Sequence, residues 1–105
     1  MTFYELGKYG ELSGEHWQIQ RRIQQGKGQP DDKLRLKQLS RRLVAISDFI
    51  SDCSDPLVRE CMKHKFIEQK SWEEVAMSVG GYNSAGSCRM LVIRYLNREN
   101  KKKRK

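Results

Sequence analysis

Along residues 31–53 the apolar side chains Leu36, Leu39, Leu43, Ile46, Ile50 and Cys53 recur at spacings of three, four, three, four and three. That period holds them on one side of a helix as an a/d seam, which Val44 and Phe49 broaden. Asp31 and Asp32 place negative charge at the start of this helix, where the unpaired amides and the macrodipole favour it. The pattern therefore predicts one long helix ending near Asp52 or Ser54. Two partners satisfy the seam equally well: other elements of the same chain, or a second copy in a homodimer through Leu36, Leu39, Leu43, Ile46 and Ile50.

Three shorter patterns follow in residues 54–97. Asp55 can cap a helix start and Pro56 suits its first turn, with Leu57, Cys61, Met62 and Phe66 at helical spacing up to about Gln69. Ser71 and Glu74 form the two ends of a capping box, and Trp72, Val75, Ala76 and Val79 make the stripe of a second helix that Gly80 and Gly81 stop. After a turn at Tyr82 and Asn83, Ser84 can cap a third helix lined by Cys88, Leu91, Val92, Tyr95 and Leu96. Ser87, Arg89, Met90, Ile93, Arg94 and Asn97 fall on its other face. Two helices joined by a short glycine-containing turn are the arrangement that projects the second into a DNA major groove, and small Ala76 suits a close crossing.

The run from Leu57, Val58 and Arg59 to Phe66, Ile67 and Glu68 resembles region 4 of bacterial sigma factors. So do Ser71, Trp72, Glu73, Glu74, Val75 and Ala76, and then Cys88, Arg89 and Met90. Within that superfamily the chain is most similar to small phage and prophage ArpU-like regulators, in which a long helix precedes the helix-turn-helix. The resemblance covers roughly the last half of the chain and implies a DNA-binding transcription regulator, with a contact to RNA polymerase as a further expectation. The connection through Gly80, Gly81, Tyr82, Asn83, Ser84, Ala85 and Gly86 departs from it by being longer than the usual region 4 turn.

The N-terminal third is less patterned. Phe3, Tyr4, Leu6, Tyr9 and Leu12 can pack on the body, but Gly7, Gly10 and Gly14 oppose a continuous helix, so only a short one near the start is expected. Ser13 can cap a helix over residues 14–25 with Trp17, Gln20, Ile23 and Gln24 on one face and His16 and Ile19 alongside. Gly26, Gly28 and Pro30 then break the chain. The expected architecture is all-α: residues 1–30 as short helices and a turn, 31–53 as the long helix packed with a tri-helical DNA-binding unit over 54–97, and 98–105 as a disordered basic tail.

Charge sharpens this picture. The chain has 105 residues, 37% of them apolar, and a net charge of +8. That is one small body without room for a large buried active site. Residues 98–105 hold six basic residues and one acid, so +5 of the total sits there. A tail of this kind neutralises phosphates and releases counterions from a nucleic acid. Arg35, Lys37, Arg41 and Arg42 lie off the seam and, with Arg21 and Arg22, offer a second basic surface for a DNA backbone or simply a solvated face. The N-terminus lacks a signal peptide's pattern and no apolar run reaches membrane-span length, so a cytoplasmic protein is expected.

Cys53, Cys61 and Cys88 form an odd set with no CxxC, each on an apolar helical face, as free thiols in a reducing compartment do. Cys61 and His64 are one turn apart and could share a metal with a second thiol, but no cofactor or metal is expected. Glu73 and Glu74 diverge on a helix and one serves the cap, and no HxxxH, P-loop or Ser-His-Asp set is present, so the chain is not expected to be an enzyme.

On the third helix Arg89 is the expected base contact, because a guanidinium donates two hydrogen bonds to guanine, with Ser87, Met90 and Ile93 completing the base-reading face. Lys70, Asn83, Ser84, Arg94, Arg98, Lys101, Lys102 and Lys103 are expected on the DNA backbone. Double-stranded DNA is thus the expected partner. Two other roles fit the same residues: a protein-binding module acting on polymerase or another regulator, and a DNA-packaging factor of small-terminase type.

Overall fold

The computed structural model describes residues 1–102 and is all-α, with no strand among them. Its elements are α1 (Phe3–Gly7), α2 (Tyr9–Gln24), α3 (Asp32–Ser51), α4 (Pro56–Met62), α5 (Trp72–Val79) and α6 (Ala85–Lys102). α4 runs on without a break into a π-helical turn, Lys63–Ile67.

α1 is set by a capping box: Thr2 Oγ1 accepts from the Glu5 amide at 3.1 Å, and Glu5 Oε1 accepts from the Thr2 amide at 3.2 Å. α2 then starts at Tyr9, several residues before the expected start, so Ser13 lies inside the helix and is not its cap. Gly10 and Gly14 are carried through at about 1 kcal/mol each relative to Ala. Burial of Leu12 and Ile19 offsets that cost at about 1.5–3 kcal/mol per side chain. The buried stripe also turns the helix away from the expected face, and Trp17 is 58% exposed.

α2 and α3 form an antiparallel hairpin held by side chains at three levels. Arg22 Nη2 donates to Asp32 Oδ1 at 2.8 Å near the loop, Arg35 forks onto Glu15, and His16 Nε2 meets Ser40 Oγ at 3.1 Å. Asp32 also accepts from the Gln29 amide at 2.8 Å, so its buried carboxylate organises the loop as well as starting α3. Arg35 is thereby committed within the chain, and Arg22 gives two of its five donors to Asp32 and keeps the others, which narrows the expected second basic surface.

The α3 seam faces inward. Leu39, Ile46, Ile50 and Cys53 are buried, and Leu36 and Leu43 pack against the same core, so the residues suggested for a homodimer are used inside one chain. The core is continuous from Leu6 and Ile19 through Met62 and Phe66 to Val75, Cys88 and Val92. Phe66, in the π turn, sits edge-on to Phe3 at 5.3 Å and to Trp72 at 6.5 Å, tying the N-terminus to α5.

The C-terminal elements follow the sequence closely. Asp55 Oδ1 accepts from the Leu57 and Val58 amides, Ser71 and Glu74 make their reciprocal box, and Gly80 and Gly81 take φ of 70° and 68°. Those angles are open to glycine at no steric cost and end α5 abruptly. α6 does not stop at Asn97 but continues to Lys102, through part of the expected disordered tail. Arg, Glu and Lys propagate a helix well, and cations at its C-terminal end complement the dipole. Residues 103–105, with the remainder of that tail, lie outside the described residues.

Cys53, Cys61 and Cys88 are free and buried. Burial, reinforced by neighbouring Cys88, pushes the Cys61 thiol up to about 12, and burial with Cys53 beside it pushes Tyr95 up to about 12. Among the described residues no three His, Cys, Asp or Glu side chains gather as a metal site, and no helix is long and apolar enough to cross a membrane.

Candidate nucleic-acid interface

The outward face of α6 is built by its own core stripe. Cys88, Val92, Tyr95 and Leu96 anchor one side of the helix against α4 and α5, and helical geometry then presents the opposite side to solvent. Ser87, Arg89, Met90, Arg94, Asn97, Arg98 and Lys101 are exposed there. Ile93 is half-buried at the edge of the face, so less of it is available than the sequence suggested.

The start of the helix is well fixed. Ser84 Oγ accepts from the Ser87 amide at 3.1 Å, and Asn83 Nδ2 donates to the Gly80 carbonyl at 3.2 Å, closing the turn between α5 and α6. Asn83 is therefore committed to the turn, whereas the exposed Ser84 and Ser87 hydroxyls keep a free proton to donate. Tyr82, expected only as part of the turn, is fully exposed at its tip, with the exposed Met77 of α5 also carrying an apolar side chain in solvent. An aromatic residue between Gly81 and Asn83 was the available signal, since a turn gives such a ring nothing to pack on.

No acidic residue occurs between Glu74 and Glu99, so the turn and almost all of α6 present only neutral and positive groups. Arg89 and Arg94 make no hydrogen bond or ion pair among the described residues and keep all their donors for a ligand. Arg94, Asn97 and Arg98 line a groove of about 470 Å³ whose other wall is Asp55, Val58 and Leu91. The Asp55 carboxylate there is occupied by the α4 amides.

Lys70 is placed otherwise than expected. It is half-buried, with Nζ 3.3 Å from Glu68 Oε1, 3.1 Å from Ser78 Oγ and 3.4 Å from His64 Nδ1. The hydrogen bond from His64, followed by that from Lys70, holds the Glu68 carboxyl below the usual glutamate range. This cluster links the π turn to α5 and shares the Lys70 ammonium among three partners within the chain. Lys101 is exposed near the end of α6, Lys102 closes the helix, and Lys103 lies outside the described residues.

Comparison of the chain with family models, with curated proteins and with solved structures finds no match to any of them. What α6 can do therefore follows from its geometry: a rigid basic helix of about 27 Å, anchored along one side and presenting guanidinium, hydroxyl and thioether groups on the other.

Proposed function

We infer that α4, α5 and α6 constitute a helix-turn-helix and that the protein is a sequence-specific double-stranded DNA-binding protein, a transcription regulator of bacterial or phage type related to sigma region 4. The observation that carries this reading is the outward face of α6 from Ala85 to Arg98, which holds no acid and on which Arg89 and Arg94 have no partner among the described residues. The residues resembling sigma region 4 lie on these three helices and on the π turn and cap that join α4 to α5. In this reading α6 enters the major groove, Arg89 pairs with a guanine edge, Ser87 and Met90 contact neighbouring bases, and Ile93 contributes its exposed edge.

Arg94, Arg98 and Lys101 take phosphates on one flank, while Ser84 donates to a phosphate near the start of the helix. Each phosphate contact adds affinity without sequence preference, and a guanidinium forked onto guanine adds about 1–3 kcal/mol of discrimination. The role is binding and not catalysis, with the DNA of the cytoplasm as target. A contact to RNA polymerase is part of the same proposal, since one such module reads few bases and a second contact raises affinity.

The test is selection of random duplexes by the full chain at about 150 mM salt, where nonspecific phosphate binding is weakened. Wild type should recover a motif, and Arg89→Ala should relax it at one or two positions. Binding without sequence preference would sink the reading in favour of a protein-partner or assembly role.

A further inference from the structure

The solvent face of α2 carries a second set of recognition groups that the α6 reading does not use. Trp17 lies on the side of α2 opposite Leu12 and Ile19, and more than half of its surface is in water even with the Arg21 guanidinium 5.2 Å above its ring. A single exposed apolar side chain is ordinary on a protein surface, so the indole counts here only together with the cations and amides beside it. Trp17, Gln18, Arg21, Arg22 and Gln25 line a shallow groove of about 420 Å³. Arg22 is fixed in this groove by Asp32, which takes two of its five donors and leaves the rest directed elsewhere.

The chemistry of the groove selects its occupant. None of the five groove residues is acidic, although Arg22 is paired with Asp32, and residues 16–30 around them add Lys27 and three further glutamines. A π face, guanidinium groups and side-chain amides are the groups that hold an unpaired base and its phosphate: the ring stacks, the cation takes the phosphate, and the amide reaches a base edge. An apolar helix of a partner protein would find only one large apolar side chain here. A DNA duplex offers phosphates but keeps its base faces stacked and inaccessible to the indole.

We propose that the Trp17–Arg21–Arg22 face of α2 is a binding site for single-stranded nucleic acid, in which one base stacks on Trp17 and the adjoining phosphates lie against Arg21 and Arg22. The site is separate from α6 and does not rest on α6 reading duplex DNA. A chain with both sites holds a duplex and an unpaired strand together.

The experiment is a fluorescence-anisotropy titration of the full chain with labelled oligo(dT) and oligo(U) of about 12 nucleotides, within the span one small domain covers, beside a duplex of the same length. Trp17→Ala should weaken single-strand binding by about 5- to 150-fold, the range for removing one stacking platform, and leave duplex binding unchanged. Trp17→Phe should restore part of the loss, because it restores a ring. Arg21→Ala should reduce the salt slope on single strands by about 0.7, one phosphate contact. Tighter binding of either oligonucleotide supports the site and identifies DNA or RNA as its strand.

Because Trp17 is exposed, its removal leaves the fold intact, which far-UV circular dichroism checks. Wild-type affinity of Trp17→Ala for both single strands overturns the proposal. So does an equal loss on single strands and duplex, or Trp17-dependent binding of a glutamate-rich peptide in preference to oligo(dT). Failure of the α6 reading would appear instead as an Arg89→Ala variant with unaltered duplex selectivity, an outcome that Trp17 does not influence.

Discussion

Gly10 and Gln69 meet where α2 crosses the end of the π turn, so closely that a Cβ on Gly10 would lie 2.5 Å from Gln69 Oε1. Among the described residues Gln69 is the one non-glycine with positive φ, 59°, and its side-chain amide donates back to the Phe66 carbonyl. The N-terminal hairpin thus docks onto the body through a helix without a side chain at one point and a strained residue at the other. The absence of a methyl group at position 10 decides how near the two can come.

This contact couples two substitutions. Ala in place of Gly in a helix interior gains about 0.5–1 kcal/mol, but in wild type Gln69 must first move and give up its hydrogen bond. Gly10→Ala should therefore stabilise a Gln69→Gly background by about 0.5–1 kcal/mol and do less, or destabilise, in the wild-type background. Urea unfolding of the four chains measures the difference. Identical effects of Gly10→Ala in both backgrounds would show that the contact carries no energy.

Asp32 makes the α2–α3 hairpin sensitive to acid. The Arg22 guanidinium, and then the Gln29 amide, hold its carboxyl below the usual aspartate range. A carboxyl depressed in the folded state contributes stability above its unfolded value, about 3.9, and loses it as pH falls through the lower folded value. The excess stability of wild type over Asp32→Asn should accordingly be constant from about pH 7 to 5 and shrink below about pH 4. Urea midpoints of both chains across that range test it, and a difference independent of pH down to about 2 would refute the assignment.

Elements whose signal is local were legible in the sequence. The Ser71–Glu74 box, the Gly80–Gly81 stop, the α6 core stripe and the α3 seam each depend on residues within a few positions of one another. The start of α2 was not legible, because Gly10 and Gly14 weaken a helix locally and only the burial of Leu12 and Ile19 in a core assembled from distant residues restores it. For the same reason Trp17, the largest side chain of its segment, was wrongly placed on the packed side.

At the candidate site, the exposed positions of α6 followed once its buried stripe was recognised. The confinement of Lys70 did not, because Ser78 lies a helix away and the π turn that brings His64 to Lys70 leaves no mark in the apolar period. The extension of α6 past Asn97 was hidden by high charge, which looks the same in a solvated helix and a solvated tail.

The inward seam of α3 predicts a sharp contrast along one helix. Leu39 is fully buried while Val44 is 56% exposed. Leu39→Ala should cost about 2–5 kcal/mol, as for other buried leucines, and Val44→Ala no more than about 0.5 kcal/mol, as for surface positions. Neither cost should depend on protein concentration. Unfolding midpoints that rise with concentration in wild type and not in Leu39→Ala would return the seam to a dimer interface.

Cys61 should behave as an inert core residue. With its thiol pushed up to about 12 by burial, it is neutral in the folded chain at every pH near neutrality. An aromatic disulfide reagent at about pH 8 should label it only at the rate of unfolding, since the thiolate is the nucleophile. An acid whose pKa is raised by folding stabilises the fold below its unfolded value, so stability should fall as pH rises above about 8.5, and less so in Cys61→Ala. Rapid labelling of Cys61 in the native chain would contradict this burial.

Lys70 and Arg94 separate a lysine already shared within the chain from an arginine without a partner among the described residues, and so test the proposed duplex-binding face. Both were expected on the phosphate backbone, yet Lys70 is shared among Glu68, Ser78 and His64, whereas Arg94 borders an open groove with no partner among the described residues. A phosphate contact contributes about 0.9 to the slope of log affinity against log salt. On the selected duplex, Arg94→Ala should lower that slope by about 0.9 and weaken binding evenly across sequences, because it touches no base. Lys70→Met should leave the slope unchanged and instead lower the unfolding midpoint, because it leaves Glu68 with one donor fewer. A slope that falls for Lys70→Met and holds for Arg94→Ala would mean that the duplex lies across α5 and the π turn, and the interface would have to be redrawn around them.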